Sequence, residues 1–245
     1  MENRIENRQT ICLAGQTVTM LTRYPEAATC FKPYEVSSIG NEKALFVSNE
    51  EWLFLKKLGI EENGQNEASI LTALASDLLL EQNRCIIHGV AVKHHGRAWI
   101  ITGDSGVGKT TQARILMKIQ PKQFSIICGD RPILEITETG VMVFPSPWNG
   151  KENLRGATAA PLAGILCLRR GETNAVQEMT LREAVLPVFR ALIQTGREEG
   201  SIMKAVAFTE KLLLRCKVWE QVSATIPDSG ELLYRQIFQE VDDEV

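Results

Sequence analysis

Apolar positions in the first part of the chain come in short runs. Residues 17–21, 30–36 and 44–47 read as strands, with turn residues between them at Tyr24-Pro25 and Gly40-Asn41. Residues 50–58 predict a short helix that Gly59 ends. Beyond the polar stretch 61–67, Ile70, Leu71, Leu74 and Leu78 recur at helical spacing and predict a helix over 68–81.

From residue 86 onward the pattern changes to strands alternating with helices. Residues 86–92 and 98–102 predict strands, and a helix follows a glycine-rich turn and stops before Pro121. Residues 124–128 form another short strand ended by Gly129-Asp130, and 134–136 with 141–144 make a hairpin around Glu138-Thr139-Gly140. A buried strand at 165–168, helices at 181–194 and 201–214, a strand at 217–222 and a helix at 231–241 complete the reading. This alternation predicts an α/β fold with a mixed central sheet covered on both faces. It also divides the chain into a small β-rich N-terminal region with helices, residues 1–80, and an α/β domain, residues 81–245.

Composition narrows the class of protein. Apolar residues make up 44 % and charged residues 23 % of the 245, as in an ordinary soluble domain, and the formal net charge is −3. That balance offers no basic face for a nucleic acid. No apolar run reaches the ~20 residues a membrane-spanning helix needs, so the chain reads as cytoplasmic with no membrane partner. The six cysteines have no Cys-x-x-Cys spacing and sit mostly in apolar stretches, which reads as buried reduced thiols rather than metal ligands or disulfides. His94 and His95, before Gly96, read as surface turn residues, and Glu240 to Glu244 as solvated charge.

One segment carries specific chemistry. Gly103-Asp104-Ser105-Gly106-Val107-Gly108-Lys109-Thr110 fits G-x-x-x-x-G-K-[ST], with a strand entering it and a helix beginning at Thr111. Glycines let the backbone curl so that successive N–H groups point at one phosphate, and the positive end of the helix dipole lies behind it. Lys109 reaches the β- and γ-phosphates, while the Thr110 hydroxyl is a ligand for Mg²⁺. These residues predict a P-loop for a purine nucleoside triphosphate, with ATP and Mg²⁺ as the cofactors. The strand at 124–128 should end beside those phosphates, which makes Asp130 the candidate second metal ligand.

Ile87-His88-Gly89, the P-loop and Cys128-Gly129-Asp130-Arg131 together resemble the catalytic domain of HPr kinase/phosphorylase. The resemblance implies the P-loop kinase fold shared with ATP-dependent phosphoenolpyruvate carboxykinases, and it brings His88 into the site. Past residue 136, Pro145-Ser146-Pro147-Trp148-Asn149-Gly150-Lys151-Glu152 and Ala160-Pro161-Leu162 resemble small stand-alone relatives of that kinase, some of which phosphorylate peptides. The first ~80 residues do not resemble the N-terminal domain of HPr kinase. Where the family has two adjacent aspartates, this chain has Gly129-Asp130, so the resemblance leaves Asp130 for metal binding or for deprotonation, with Asp104, Glu135 or His88 as the groups able to substitute.

The expected activity is transfer of the γ-phosphate of ATP to a hydroxyl, such as serine in a peptide, a small protein or a free metabolite. The alternative is a nucleotide-responsive binding protein that has lost catalysis with its second aspartate. Arg131, Lys151 and Arg155 are the candidates for neutralising charge or gripping the acceptor, with Trp148 covering the site, and either Arg169 or Arg170 facing the nucleotide. Acceptor, oligomeric state and the choice of adenine over guanine stay open at this level.

Overall fold

In the computed structural model, which describes residues 5–156, 158–196 and 199–239, the chain opens with a tight antiparallel hairpin. Strand β1 (Asn7–Leu13) pairs residue for residue with β2 (Gln16–Thr22) across Ala14-Gly15, both at positive φ. The predicted strand at 30–36 is instead the end of helix α1 (Pro25–Phe31) and a 3₁₀ turn, Lys32–Tyr34. Pro25 and Pro33 each stand in the first turn of these segments, where the missing N–H costs nothing, and this outweighs the strand-like alternation of apolar and polar residues over 30–36. Strand β3 (Lys43–Leu45) adds to β2 in parallel and completes a three-stranded sheet.

Helix α2 (Asn49–Lys57) begins with a capping box in which Ser48 and Glu51 satisfy each other's backbone N–H groups. Helix α3 (Gly64–Leu80) starts four residues ahead of its predicted start, because the Asn63 side chain caps the N–H of Asn66. Glu67, fully buried, accepts from the N–H groups of Arg23 and Tyr24 and so ties α3 to the end of the hairpin.

Nine strands among the described residues form one mixed sheet. They are β4 (Arg84–Ile86), β5 (Gly89–His94), β6 (Arg97–Thr102), β7 (Phe124–Cys128), β8 (Ile133–Ile136), β9 (Val141–Phe144), β10 (Ala160–Arg170), β11 (Ala175–Glu178) and β12 (Lys217–Ser223). The single strand expected at 86–92 is broken at Ile87-His88, where Ile87 N–H bonds Pro132 O and His88 N–H bonds Ala191 O. Strand β10 is more than twice as long as predicted. It pairs antiparallel with β9 at its start, then runs parallel between β6 and β12. Strand β5 is antiparallel to both β6 and β7, so β6 and β7 point the same way. Their carboxyl ends and the first residue of β5 therefore meet at one edge of the sheet.

Helix α4 (Lys109–Ile119) follows β6, and α5 (Leu181–Ala191), α6 (Glu199–Leu213) and α7 (Ile226–Leu233) complete the helices. The last helix begins five residues earlier than predicted and passes into a π turn at Tyr234–Phe238. The expected continuation to residue 241 and the acidic tail lie outside the described residues. His94, expected on the surface, is buried: its ring stacks on Phe124 at 4.3 Å and meets Phe238 edge-on, because it is the last residue of β5 rather than part of the turn. His95, at φ +44°, takes the exposed turn position. One apolar cluster joins β1, β2, α1, α2 and α3 to Ile86, Ile133 and Trp148, so the N-terminal sheet and the large sheet share a core. No helix among the described residues is long and apolar enough to cross a membrane.

Candidate functional site

The glycine-rich loop begins where β6 meets β10. A β-carbon on Gly103 would stand 2.2 Å from Leu168 O, so only glycine lets the chain turn there. Gly106 and Gly108 take φ of +75° and +113°, and Gly108 delivers the chain into α4. Lys109, the first residue of α4, is mostly buried, and its Nζ donates to the carbonyls of Gly103 at 2.9 Å and Asp104 at 3.0 Å. Burial lowers the Lys109 pKa, with the carboxylates of Asp130 and Asp104 pulling it back up. Val107 faces inward with Ile101, Ala113 and Leu168, whereas Asp104, Ser105 and Gly106 are exposed at the crest. Thr110 is half-buried in the first turn of α4, and Thr111 is exposed beside it. This is a cradle of backbone N–H groups, a helix N-terminus and one ammonium, and it fits a polyphosphate.

Asp130 follows β7 and reaches the same edge. The N–H of Gly89 donates to Asp130 O at 2.7 Å, and Thr102 Oγ1 donates to His88 O at 2.8 Å. These two bonds lock the end of β7, the break before β5 and the end of β6 together. His88 Nε2 lies 3.5 Å from Asp130 Oδ1, and Arg131 Nε lies 3.3 Å from Oδ2. Burial and the charge of Lys109 lower the His88 pKa, outweighing the opposite pull of Asp130. Both effects favour the neutral form of the imidazole. A hydroxyl from Thr110 and a carboxylate from Asp130 are hard oxygen ligands suited to Mg²⁺.

The segment 145–156 straps across the end of β7. Arg131 N–H bonds Trp148 O, Gly156 N–H bonds Ile127 O, and Arg155 pairs with Cys128 as an isolated β-bridge. An ion pair between Arg114 on α4 and Glu152 ties the strap to the helix that follows the phosphate loop. Trp148 is a buried anchor. Its Nε1 donates to Ala68 O at 3.1 Å and its ring meets Phe31 edge-on. Lys151 and Arg155 are exposed, and Arg155 Nε donates to Asn153 Oδ1. Arg131 reaches back to α3, where its guanidinium donates to Thr72 Oγ1 at 2.8 Å.

A cleft of about 1080 Å³ opens between the strap, the sheet edge and the N-terminal region. His88, Ser105, Asp130, Arg131, Trp148, Lys151 and Arg155 all line it, so residues far apart in sequence share one space. The opposite wall is made by Tyr24, Glu26, Cys30 and the start of α3, none of which the sequence had singled out. Nothing local marks them, since they come to the cleft only because α1 and α3 pack on the large sheet. Two other candidates lie elsewhere. Glu135 is engaged by Arg84 across β4 and β8, and Arg169 is held by Glu220 on β12.

Among known proteins, the chain is 26 % identical over 220 residues to the HPr kinase/phosphorylase of Streptococcus thermophilus, spanning 78 % of this chain and 70 % of that one. The protein of that name from Streptococcus salivarius matches to the same extent. The match to a solved structure of the Hpr(Ser) kinase/phosphatase from Coxiella burnetii, at 11 % identity and a TM-score of 0.37, covers 65 % of this chain and 99 % of that one. No family model matches the chain. The expectation of an α/β fold with a mixed central sheet and a small β-rich N-terminal region is met by the nine-stranded and three-stranded sheets. The position where the resemblance implies a second aspartate is Gly129, packed beneath the strap.

Proposed function

We propose that this protein is an ATP-dependent phosphotransferase that moves the γ-phosphate to a hydroxyl, with serine in a peptide, a small protein or a free metabolite as the acceptor. The observation that carries this reading is the meeting of the phosphate loop, Asp130 and His88 at one sheet edge that opens into a cleft. A protein that merely stored nucleotide would have no need of a carboxylate and a neutral imidazole facing a second, roomy compartment. The names of the curated relatives, HPr kinase/phosphorylase, support phosphoryl transfer to a protein or peptide acceptor.

Under this reading the loop amides and Lys109 hold the phosphates, and Thr110 and Asp130 hold Mg²⁺. When bound, the cation supplies charge neutralisation at the phosphates. His88 sits beside Asp130 to accept the acceptor's proton, and Arg131, Lys151 and Arg155 balance the negative charge in the cleft. The strap and the start of α3 confine the acceptor on the side away from the loop. Residues 81–245 serve as the nucleotide-binding domain, and residues 1–80 as the opposite wall. A cytoplasmic setting supplies the nucleotide and keeps the thiols reduced.

The test follows γ-labelled ATP with Mg²⁺, the purified protein and a size-fractionated extract of the source cells, with Lys109→Ala and Asp130→Asn run alongside. Label moving onto an acceptor fraction, and lost in both variants, is the expected result. A second reading, a nucleotide-responsive binding protein, is favoured by one observation: the strap leaves position 129 no room for a second carboxylate. Tight ATP binding with no label moved in any fraction would put that reading first.

A further inference from the structure

We propose that Ser146 and Asn149 are positioning residues that fix the carboxylate of Asp130 by fastening the strap across the end of β7. The inference rests on the proposed role of Asp130 as a ligand for the nucleotide's metal.

Ser146 is wholly buried. Its Oγ donates to Arg131 O at 2.6 Å and accepts from Trp148 N at 3.2 Å. Trp148 O in turn accepts from Arg131 N at 3.1 Å. The residue directly after Asp130 is thus held at both its carbonyl and its N–H. Asn149, 4 % exposed, donates from Nδ2 to the carbonyls of Ser146 and Pro147 at 3.0 and 3.2 Å, and its Oδ1 faces Gly129 N and Cys128 Sγ, each at 3.5 Å. Gly150, at φ +69°, lies directly on the carboxylate-bearing residue: a β-carbon there would stand 3.1 Å from Asp130 Cβ.

A hydroxyl and an amide this deeply buried are costly unless bonded, and here both bond the backbone of the strap and of 128–131. Any other arrangement of the strap would leave several buried groups unpaired, so the network selects one placement. Gly89 N–H holds Asp130 O from the opposite face. Strand-to-loop junctions are ordinarily mobile; this one is clamped on two sides. Displacing a reacting or ligating group by ~1 Å typically costs about 10²-fold, so loosening the clamp should be felt at the carboxylate before it is felt in the fold.

Asn149→Asp keeps the shape but turns a donor pair into an acceptor that faces two carbonyls, and Ser146→Ala removes the hydroxyl. Both would be compared with wild type, Asp130→Asn and Val141→Ala, a core truncation in β9 away from the strap. The readouts are calorimetric binding of a non-hydrolysable ATP analogue with and without Mg²⁺, phosphate release from ATP with water as acceptor, and melting temperature. Both strap variants are expected to bind the metal-free analogue within about twofold of wild type. They should lose about tenfold or more of the enhancement that Mg²⁺ gives, while Val141→Ala, at a similar or lower melting temperature, keeps it. Full Mg²⁺ enhancement in both strap variants would overturn the proposal, as would an equal loss in Val141→Ala. If Asp130→Asn itself keeps the enhancement, the metal-ligand role beneath the inference fails instead. Absence of label transfer in wild type would count against the phosphotransferase reading alone.

Discussion

A β-carbon on Gly129 would stand 2.8 Å from the carbonyl oxygen of Asn149, and 2.9 Å from both Cβ and O of Leu154. The position where the resemblance implies a second aspartate is therefore filled by backbone from another segment. The strap and the glycine fit each other, and neither can change alone.

Replacing Gly129 by aspartate should accordingly destabilise the fold and restore nothing. Backbone atoms on two sides cannot swing away as a flexible side chain would, so overpacking of about 1–3 kcal/mol is expected. Denaturant unfolding of Gly129→Asp measures it. A variant of wild-type stability with faster phosphate release from ATP would show that the strap can yield.

Lys109→Met should cost nucleotide affinity but not stability. Burial lowers the folded pKa of Lys109 below its unfolded value. The protonated lysine thus opposes folding at neutral pH, and that cost lifts only as pH rises through the interval between the two pKa values. Removing the charge should leave the melting temperature at pH 7 unchanged or higher, while ATP binding falls by tenfold or more. A marked drop in melting temperature would mean that the bonds from Nζ to Gly103 O and Asp104 O outweigh the burial.

Thiol chemistry gives an independent check on the core. Burial pushes Cys30, Cys85, Cys167 and Cys216 up to about 12. At pH 8 about one in 10⁴ of each is thiolate, the form that reacts. Native protein treated with a thiolate-specific alkylating reagent should keep these four unmodified, whereas urea-unfolded protein labels all six cysteines. Mass spectrometry reads the difference, and early labelling of Cys85 in the native state would contradict its placement beside Ser76.

Glu67 predicts a pH signature for the joint between hairpin and α3. Burial raises its pKa, and the N–H groups of Arg23 and Tyr24 only partly oppose the rise. The folded state therefore favours the protonated form, and the stability this lends is fully present below the unfolded pKa and fades as pH rises through the folded one. Glu67→Gln is permanently neutral, so its melting temperature relative to wild type should climb between pH 4 and pH 7. A difference that stays flat with pH would show that folding leaves the Glu67 pKa unshifted.

The element order of the second half was legible because buried strands and the P-loop carry strong local patterns. Ala98 to Thr102, the glycine loop and α4 follow from apolar runs and from the few residue types that can curl around a phosphate. The first half was less legible. Residues 30–36 have strand-like composition, yet Pro25 and Pro33 start helical turns there, and α1 is held by packing on α3 rather than by its own propensity.

By itself the sequence set out the candidate chemistry: a glycine loop with a lysine and a threonine that suits a phosphate, and Asp130 and His88 as candidates to join it. A motif of that kind is written in consecutive residues because adjacent backbone N–H groups must converge on one ligand. Tertiary structure alone decided what those groups face. The parallel course of β6 and β7 brings Asp130 to the loop, the strap closes over Gly129, and α1 with α3 supplies the far wall of the cleft. They bring together residues from 20 positions apart, Gly129 and Asn149, to more than 100, Tyr24 and Asp130, and no local pattern specifies them, since they arise only when separate apolar faces are buried against one another.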